Sequence, residues 1–275
     1  MIHSDWGEWL PRAVEDADPD GVALWYLGCN GFFLKAADGT TVLIDPYLGT
    51  GDPPRTVRMV PVPFAPEDVG PVDAVLATHE HTDHVHGPTQ GPIIADSDAP
   101  LYAPDDSVAV AREEGWASEY GFDGDRLTTV AEGETFTVGS LTVNVEPAND
   151  PDASHPVSYV IEHDAGTLFH GGDARPGEFE SVGESYDVDL GVLAFGSAGM
   201  IPDKQTREPK YTKWYNDENQ IVEAAREARL DRLLPTHWDI WKGLNADPSI
   251  LHHHARSFDY PGRIEVAEIG DRIDL

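Results

Sequence analysis

Three histidines and an aspartate fall within six positions, His79-x-His81-x-Asp83-His84, inside the segment ATHEHTDHVHG at residues 77–87. Imidazole nitrogens and a carboxylate are borderline ligands that suit zinc, manganese or iron better than calcium or magnesium. Six consecutive residues are too few to enclose one ion with all four groups. They can feed two neighbouring ions, His79 and His81 on one, Asp83 and His84 on the other. Such a pair also needs a bridging carboxylate and ligands from elsewhere in the chain. Asp173 follows two glycines in LFHGGD, and His237 closes the apolar run LLPTHWD. The remaining ligand of the first ion comes from His155 or from Asp150 in PAND, and the sequence does not choose between them.

These residues lie where rigid elements stop and loops begin. VDAVL at 72–76 is a short apolar run rich in β-formers, and GPTQGP after the histidines reads as turn. GVALWYLG and GFFLKAADGTTVLIDP read as strands, the latter folded over Asp38-Gly39 as a tight hairpin. Residues 47–71 read as one long irregular loop. GETFTVGSLTVNVEPAND and HPVSYVIEHDAGTLFHGGD read as further hairpins, VDLGVLAFG and DRLLPTHW as strands. DDSVAVAREEGW, NDENQIVEAAREARL and DPSILHHHARSF read as helices, and RIEVAEIGDRIDL as a last strand. Hairpins interleave with strand–helix units in both halves. That order predicts an α+β chain forming one domain over residues 1–275: two mixed sheets face to face with helices outside, a four-layer αββα sandwich.

THEHTDH resembles the HxHxDH signature of the metallo-β-lactamase superfamily, whose fold is that same sandwich. Along most of the chain WGEWL, WYLGCNGFFLK, VDAVLATHEHTDH, LFHGGD, LPTHWDIW and ADPSI are similar to the L-ascorbate-6-phosphate lactonase family within it. The resemblance implies two divalent ions, zinc or manganese with iron also allowed. It sets Asp173 at the station of a bridging aspartate and His237 at that of the last histidine. It also implies that Asp45 orients a metal ligand, against the simpler reading of a turn-former before Pro46. Residues 200–209 look like an insertion relative to that family, so the walls of its pocket need not be the same here.

Other side chains follow from position. His170 lies on the strand leading to Asp173 and reads as a support for the ligands. Arg175 comes two residues after Asp173, and its guanidinium could pair with a substrate phosphate or carboxylate. Lys213 and Arg58 are further cationic candidates from matching segments, and Trp238 is placed to wall the pocket beside His237. For each cation the alternative is a surface ion pair.

The resulting expectation is a lactonase that opens a sugar-derived lactone, phosphorylated or not, by attack of a metal-activated water that Asp83 orients. A small-molecule phosphodiesterase on the same centre and a non-catalytic metal- or ligand-binding relative are the alternatives. The substrate expected is a small molecule, with no nucleic acid and no membrane partner; homo-oligomer formation stays open. The single cysteine, Cys29, excludes an intrachain disulfide, and the acidic N-terminal stretch carries no apolar signal core, so a cytoplasmic location is expected.

Charge is the unusual property of the composition. Fifty acidic residues against 18 basic ones leave a net charge of −32 over 275 residues. That balance disfavours a polynucleotide partner, which requires a dense basic surface. It also sets up self-repulsion that only dissolved salt relieves, so the composition reads as halophilic. We predict that Tm rises steeply as KCl approaches molar concentration, measured by thermal unfolding. A protein most stable in dilute buffer would contradict this reading.

Overall fold

A computed structural model of the chain describes residues 2–196, 198–258 and 260–275. Among them, two seven-stranded sheets lie face to face. The first runs, edge to edge, through Arg272–Asp274, Val22–Gly28, Gly31–Ala36, Thr41–Ile44, Ala74–Leu76, Leu101–Ala103 and Leu127–Thr129. The second runs through Arg263–Ile264, Arg232–Thr236, Leu190–Ala194, Gly166–His170, Val157–His163, Leu141–Pro147 and Thr135–Val138. Each is antiparallel through its hairpins and parallel where helices intervene.

Period-two patterning divides the apolar residues between three layers. In Val22–Gly28 the residues Val22, Leu24 and Tyr26 meet Val143, Tyr159, Leu168 and Val192 between the sheets. Their neighbours Ala23, Trp25 and Leu27 face the other way, into a cluster with Leu10, Ile93, Val108 and Trp116 from the helices Trp9–Glu15, Gly87–Ser97, Asp105–Glu113 and Trp116–Tyr120. On the far side Phe169, Leu193 and Leu233 pack under the helices Glu180–Ser185, Glu218–Glu227 and Ile250–Phe258. This is the αββα sandwich. No helix of the described residues is long and apolar enough to cross a membrane.

Two local readings need correction, and a third is given its shape. GPTQGP does not form a turn but opens the helix Gly87–Ser97, because Pro88 sits in the first helical turn, where its missing N–H removes no hydrogen bond. The C-terminal segment is two short strands, Arg263–Ile264 and Arg272–Asp274, in different sheets, so this stretch of chain passes between the layers. Residues 200–209 fall in a separate two-stranded hairpin, Ala198–Pro202 with Pro209–Lys213.

The long loop after Asp45 is held by Arg58. This arginine is 9% exposed, and its guanidinium donates to the carbonyls of Tyr47 (2.9 Å), Pro61 (2.9 Å), Val60 (3.1 Å) and Leu27 (3.2 Å). A guanidinium offers five N–H donors in a fixed fork, and here they replace the ladder that an irregular loop lacks. Arg58 is therefore a clamp on the loop and not a free cation for substrate. Arg58→Ala strands more than one buried carbonyl and should cost at least about 1–3 kcal/mol of unfolding free energy in urea titration. An unchanged midpoint would return Arg58 to the substrate-binding candidates.

Candidate metal centre

The candidate ligands sit on loops leaving strands of both sheets. Asp45 follows Thr41–Ile44, and His79 lies just beyond Ala74–Leu76. Asp150 lies beyond Leu141–Pro147, Asp173 beyond Gly166–His170, and His237 directly after Arg232–Thr236. Asp45 and His237 both take left-handed backbone conformations, φ 44° and 65°, the kind of local strain that a surrounding site must hold in place. Gly172, at φ 58°, lets the Asp173 loop approach the histidine loop; a Cβ there would stand 3.0 Å from the Thr78 hydroxyl oxygen.

Two clusters meet at Asp173. Ligand atoms of His79, His81, Asp150 and Asp173 lie within 4.8 Å of one another, as do those of His84, Asp173 and His237. The Asp173 carboxylate faces both: Oδ2 stands 3.3 Å from His84 Nε2 and 3.8 Å from His79 Nε2, while Oδ1 stands 3.4 Å from His237 Nε2. Asp83 closes the second cluster, with Oδ2 3.4 Å from His237 Nε2. Of the two alternatives for the first cluster the fold brings in Asp150, whose Oδ2 is 3.6 Å from His79 Nε2. His155 is exposed on the surface, paired with Asp106, and takes no part.

Hydrogen bonds on the outer side of each imidazole fix which nitrogen turns inward. Asp45 accepts from the Thr78 amide and hydroxyl, both at 2.8 Å, and lies 2.9 Å from His84 Nδ1. The Thr78 hydroxyl donates to Asp45, so its oxygen is left to accept from His79 Nδ1 at 3.0 Å. His81 Nε2 donates to the Asp152 carbonyl at 3.0 Å. His79 Nε2, His81 Nδ1 and His84 Nε2 thus turn to the interior, the first two 2.8 Å apart, as the inward nitrogens of carboxylate- and carbonyl-anchored metal histidines do. The structure places Asp45 against His84 and Thr78, on the outer side of the ligand histidines. His170 works one step further out: its Nε2 donates to the carbonyl of Asn30 at 2.9 Å, and the Asn30 amide donates to Asp173 Oδ1 at 2.6 Å.

Electrostatics separate the groups. Burial alone would raise the Asp173 carboxyl, but His84 and His237 beside it outweigh burial and hold it well below the usual carboxylate range. Asp150 goes the other way, pushed up to about 6 by burial and by the Asp173 charge. Burial lowers His79, His170 and His237, whereas His84 is raised well above the usual imidazole value because Asp173 and Asp45 overcome its burial.

The donor set suits divalent transition ions. Two inward atoms, Asp150 Oδ2 and His84 Nε2, are buried and make no hydrogen bond of normal geometry, although His79 Nε2 stands 3.6 Å from the first and Asp173 Oδ2 3.3 Å from the second. A polar group buried in that way is costly unless an ion or water satisfies it. The first cluster offers two nitrogens and two carboxylates, the second two nitrogens and two carboxylates, with Asp173 common to both.

The remaining sequence candidates lie at the rim or outside it. The Arg175 guanidinium Nη2 donates to the Trp214 carbonyl (2.9 Å) and pairs with Asp152 (3.2 Å), bracing the loop that carries Asp150. Lys213 is spent on Asp217 and Gln220, both at 2.6 Å, at the cap of Glu218–Glu227. Trp238 packs against the outer cluster of the second sheet. Four residues escaped the sequence reading. Thr78 is the hinge of the histidine anchors, Asn30 holds Asp173, and Tyr215 stacks on His237 with ring centroids 4.0 Å apart. Cys29 has its sulfur within 4.8 Å of ligand atoms of Asp83 and His237. Only GCNG, a two-residue turn bracketed by glycines between two strands, carried a local signal for any of them.

Comparison with known proteins places this geometry in a family. Residues 40–238 match the model of the beta-lactamase superfamily domain. Over 291 aligned residues the chain is 25% identical to the probable L-ascorbate-6-phosphate lactonase UlaG of Escherichia fergusonii, covering 89% of this chain and 77% of that protein. Among solved structures, an isothiocyanate hydrolase from Delia radicum gut bacteria superposes with a TM-score of 0.69 at 20% identity, over 92% of this chain and 99% of the other. Igni18, a metallo hydrolase from the archaeon Ignicoccus hospitalis, gives 0.67 at 20% identity, over 92% and 98%. With a family match over most of its length and a fold shared with these structures, this chain belongs to the beta-lactamase superfamily.

Proposed function

We propose that the protein is a metal-dependent hydrolase that opens a small lactone, with His79, His81, Asp150 and Asp173 holding one divalent ion and Asp83, His84, Asp173 and His237 holding a second. The observation that carries this reading is the Asp173 carboxylate, which stands between the two clusters, its Oδ2 3.8 Å from His79 Nε2 of the first and 3.3 Å from His84 Nε2 of the second, its Oδ1 3.4 Å from His237 Nε2. Divalent ions held there would activate water near neutral pH and polarise an ester carbonyl.

The chain's own residues supply the rest. Asp83 is the least buried of the carboxylates, its side chain 18% exposed, so it can reach both a water and bulk solvent and pass a proton between them. Asp45 and Thr78 keep His79 and His84 from rotating, so the nitrogens face inward before substrate arrives. Arg175 and Arg55 flank Trp214, the first through the backbone carbonyl and the second with its guanidinium 5.2 Å above the ring. In so acidic a protein, two guanidiniums beside one tryptophan near the site favour a substrate with an anionic group. The named activity of the E. fergusonii relative, on a phosphorylated lactone, points the same way.

Zinc- and manganese-loaded protein should hydrolyse lactones faster than phosphodiesters in a side-by-side screen; the reverse preference would replace the lactonase reading with a phosphodiesterase. Asp173→Ala should lose bound metal, by elemental analysis, together with activity, while His155→Ala keeps both. Retained metal in Asp173→Ala would exclude the shared carboxylate. Arg175→Ala should raise KM about tenfold for a phosphorylated lactone and much less for its neutral counterpart, the scale of a hydrogen bond to a charged group. Equal loss on the two would leave Arg175 as a brace for the Asp150 loop alone.

A further inference from the structure

We infer that Cys29 is a ligand to the second ion, through its sulfur, an assignment that rests on the two-ion reading above. Its Sγ, a carboxylate oxygen of Asp83 and a ring nitrogen of His237 lie within 4.8 Å of one another. Donors bound to one zinc at about 2.3 Å for sulfur and about 2.0–2.2 Å for nitrogen and oxygen stand up to about 4.5 Å apart. The three atoms are therefore spaced to share an ion after small rotamer changes.

The backbone of this turn is committed to the site on every side. The Cys29 carbonyl accepts from the His237 amide at 3.1 Å and from the Tyr26 hydroxyl at 3.0 Å, which ties Cys29 to the residue it would ligate alongside. Its neighbour Asn30 holds Asp173. Cys29 is fully buried and sits in the left-handed region at φ 52°. A side chain there costs about 1–3 kcal/mol of strain that glycine would avoid. A cysteine is thus an expensive choice for a tight turn unless its sulfur is used. Independently of the thiol, the buried His84 Nε2 makes no hydrogen bond and stands 3.3 Å from Asp173 in an adjoining group that shares His237 with Cys29 and Asp83.

A thiolate changes which ion the position takes. Sulfur is a soft donor that favours zinc or iron over manganese or magnesium, whereas the first cluster, with only nitrogen and oxygen, accepts either kind. The two positions would then differ in preference within one chain.

X-ray absorption at the zinc edge of the full-length, zinc-loaded protein tests this. A sulfur shell at about 2.3 Å should appear beside nitrogen and oxygen at about 2.0–2.1 Å, with about one sulfur for every two ions. Because the chain has one cysteine, the shell can be assigned through Cys29→Ser and Cys29→Gly, both of which should lose it. The glycine variant also relieves the left-handed strain of the turn, and the serine variant keeps a side chain of similar size in the buried position. Two bound zinc ions with only nitrogen and oxygen around them would overturn the role of Cys29 and leave the two-ion reading standing. A protein that binds no zinc would overturn both, and so would separate the two failures. A sulfur shell that survives in Cys29→Gly would also overturn the assignment.

Discussion

A buried carboxylate needs compensation in proportion to the water it has lost, and Asp173 is where this molecule concentrates that demand. It is 5% exposed and lies on a loop between two sheets whose cores are otherwise apolar. Three imidazoles within 3.8 Å and the Asn30 amide at 2.6 Å are its compensation. These groups come from three loops, His79 and His84 from one and Asn30 and His237 from two others, so the carboxylate ties strand ends of the two sheets to each other. Glycines at 171 and 172 allow the approach; a Cβ on Gly171 would strike Leu193 at 2.7 Å.

The imidazoles around that carboxylate are held from behind. Asp45, Thr78 and the Asp152 carbonyl occupy the outward nitrogens, which leaves the inward nitrogens to whatever occupies the centre. Asp45 is fully buried, and its charge is met from three donors: it receives two bonds from Thr78 and faces His84, from a left-handed turn that ends Thr41–Ile44. The chain thus prepares its ligands with hydrogen bonds that cost nothing further at the moment of binding.

The site shares the acidic character of the whole protein. Asp45, Asp83, Asp150 and Asp173 crowd within a few ångströms of the same histidines, and Asp150 is already pushed up to about 6 by burial and by Asp173. Such a field favours cations, and divalent ones most. Against this background Arg175 pairs with Asp152, and Arg55 lies over the Trp214 ring.

By itself the sequence determined the sandwich and the ligands that come in recognisable company. Period-two strands, hairpin turns and amphipathic helices are local signals, and His79, His81, Asp83 and His84 are adjacent in the chain, so their chemistry is visible in a window of six residues. Asp173 and His237 were legible because each follows a strand-like apolar run. The tertiary structure alone decided the rest. It chose Asp150 over His155, since the two differ by five positions and only the path of the loop turns one inward and exposes the other. It reassigned Arg58 from substrate to loop clamp, because the carbonyls that a guanidinium finds depend on how an irregular segment folds back. It also brought Cys29, Asn30 and Thr78 to the centre from strand ends that are distant in sequence. Local periodicity reports which way a residue faces; which partners meet it there is set by packing between the two sheets.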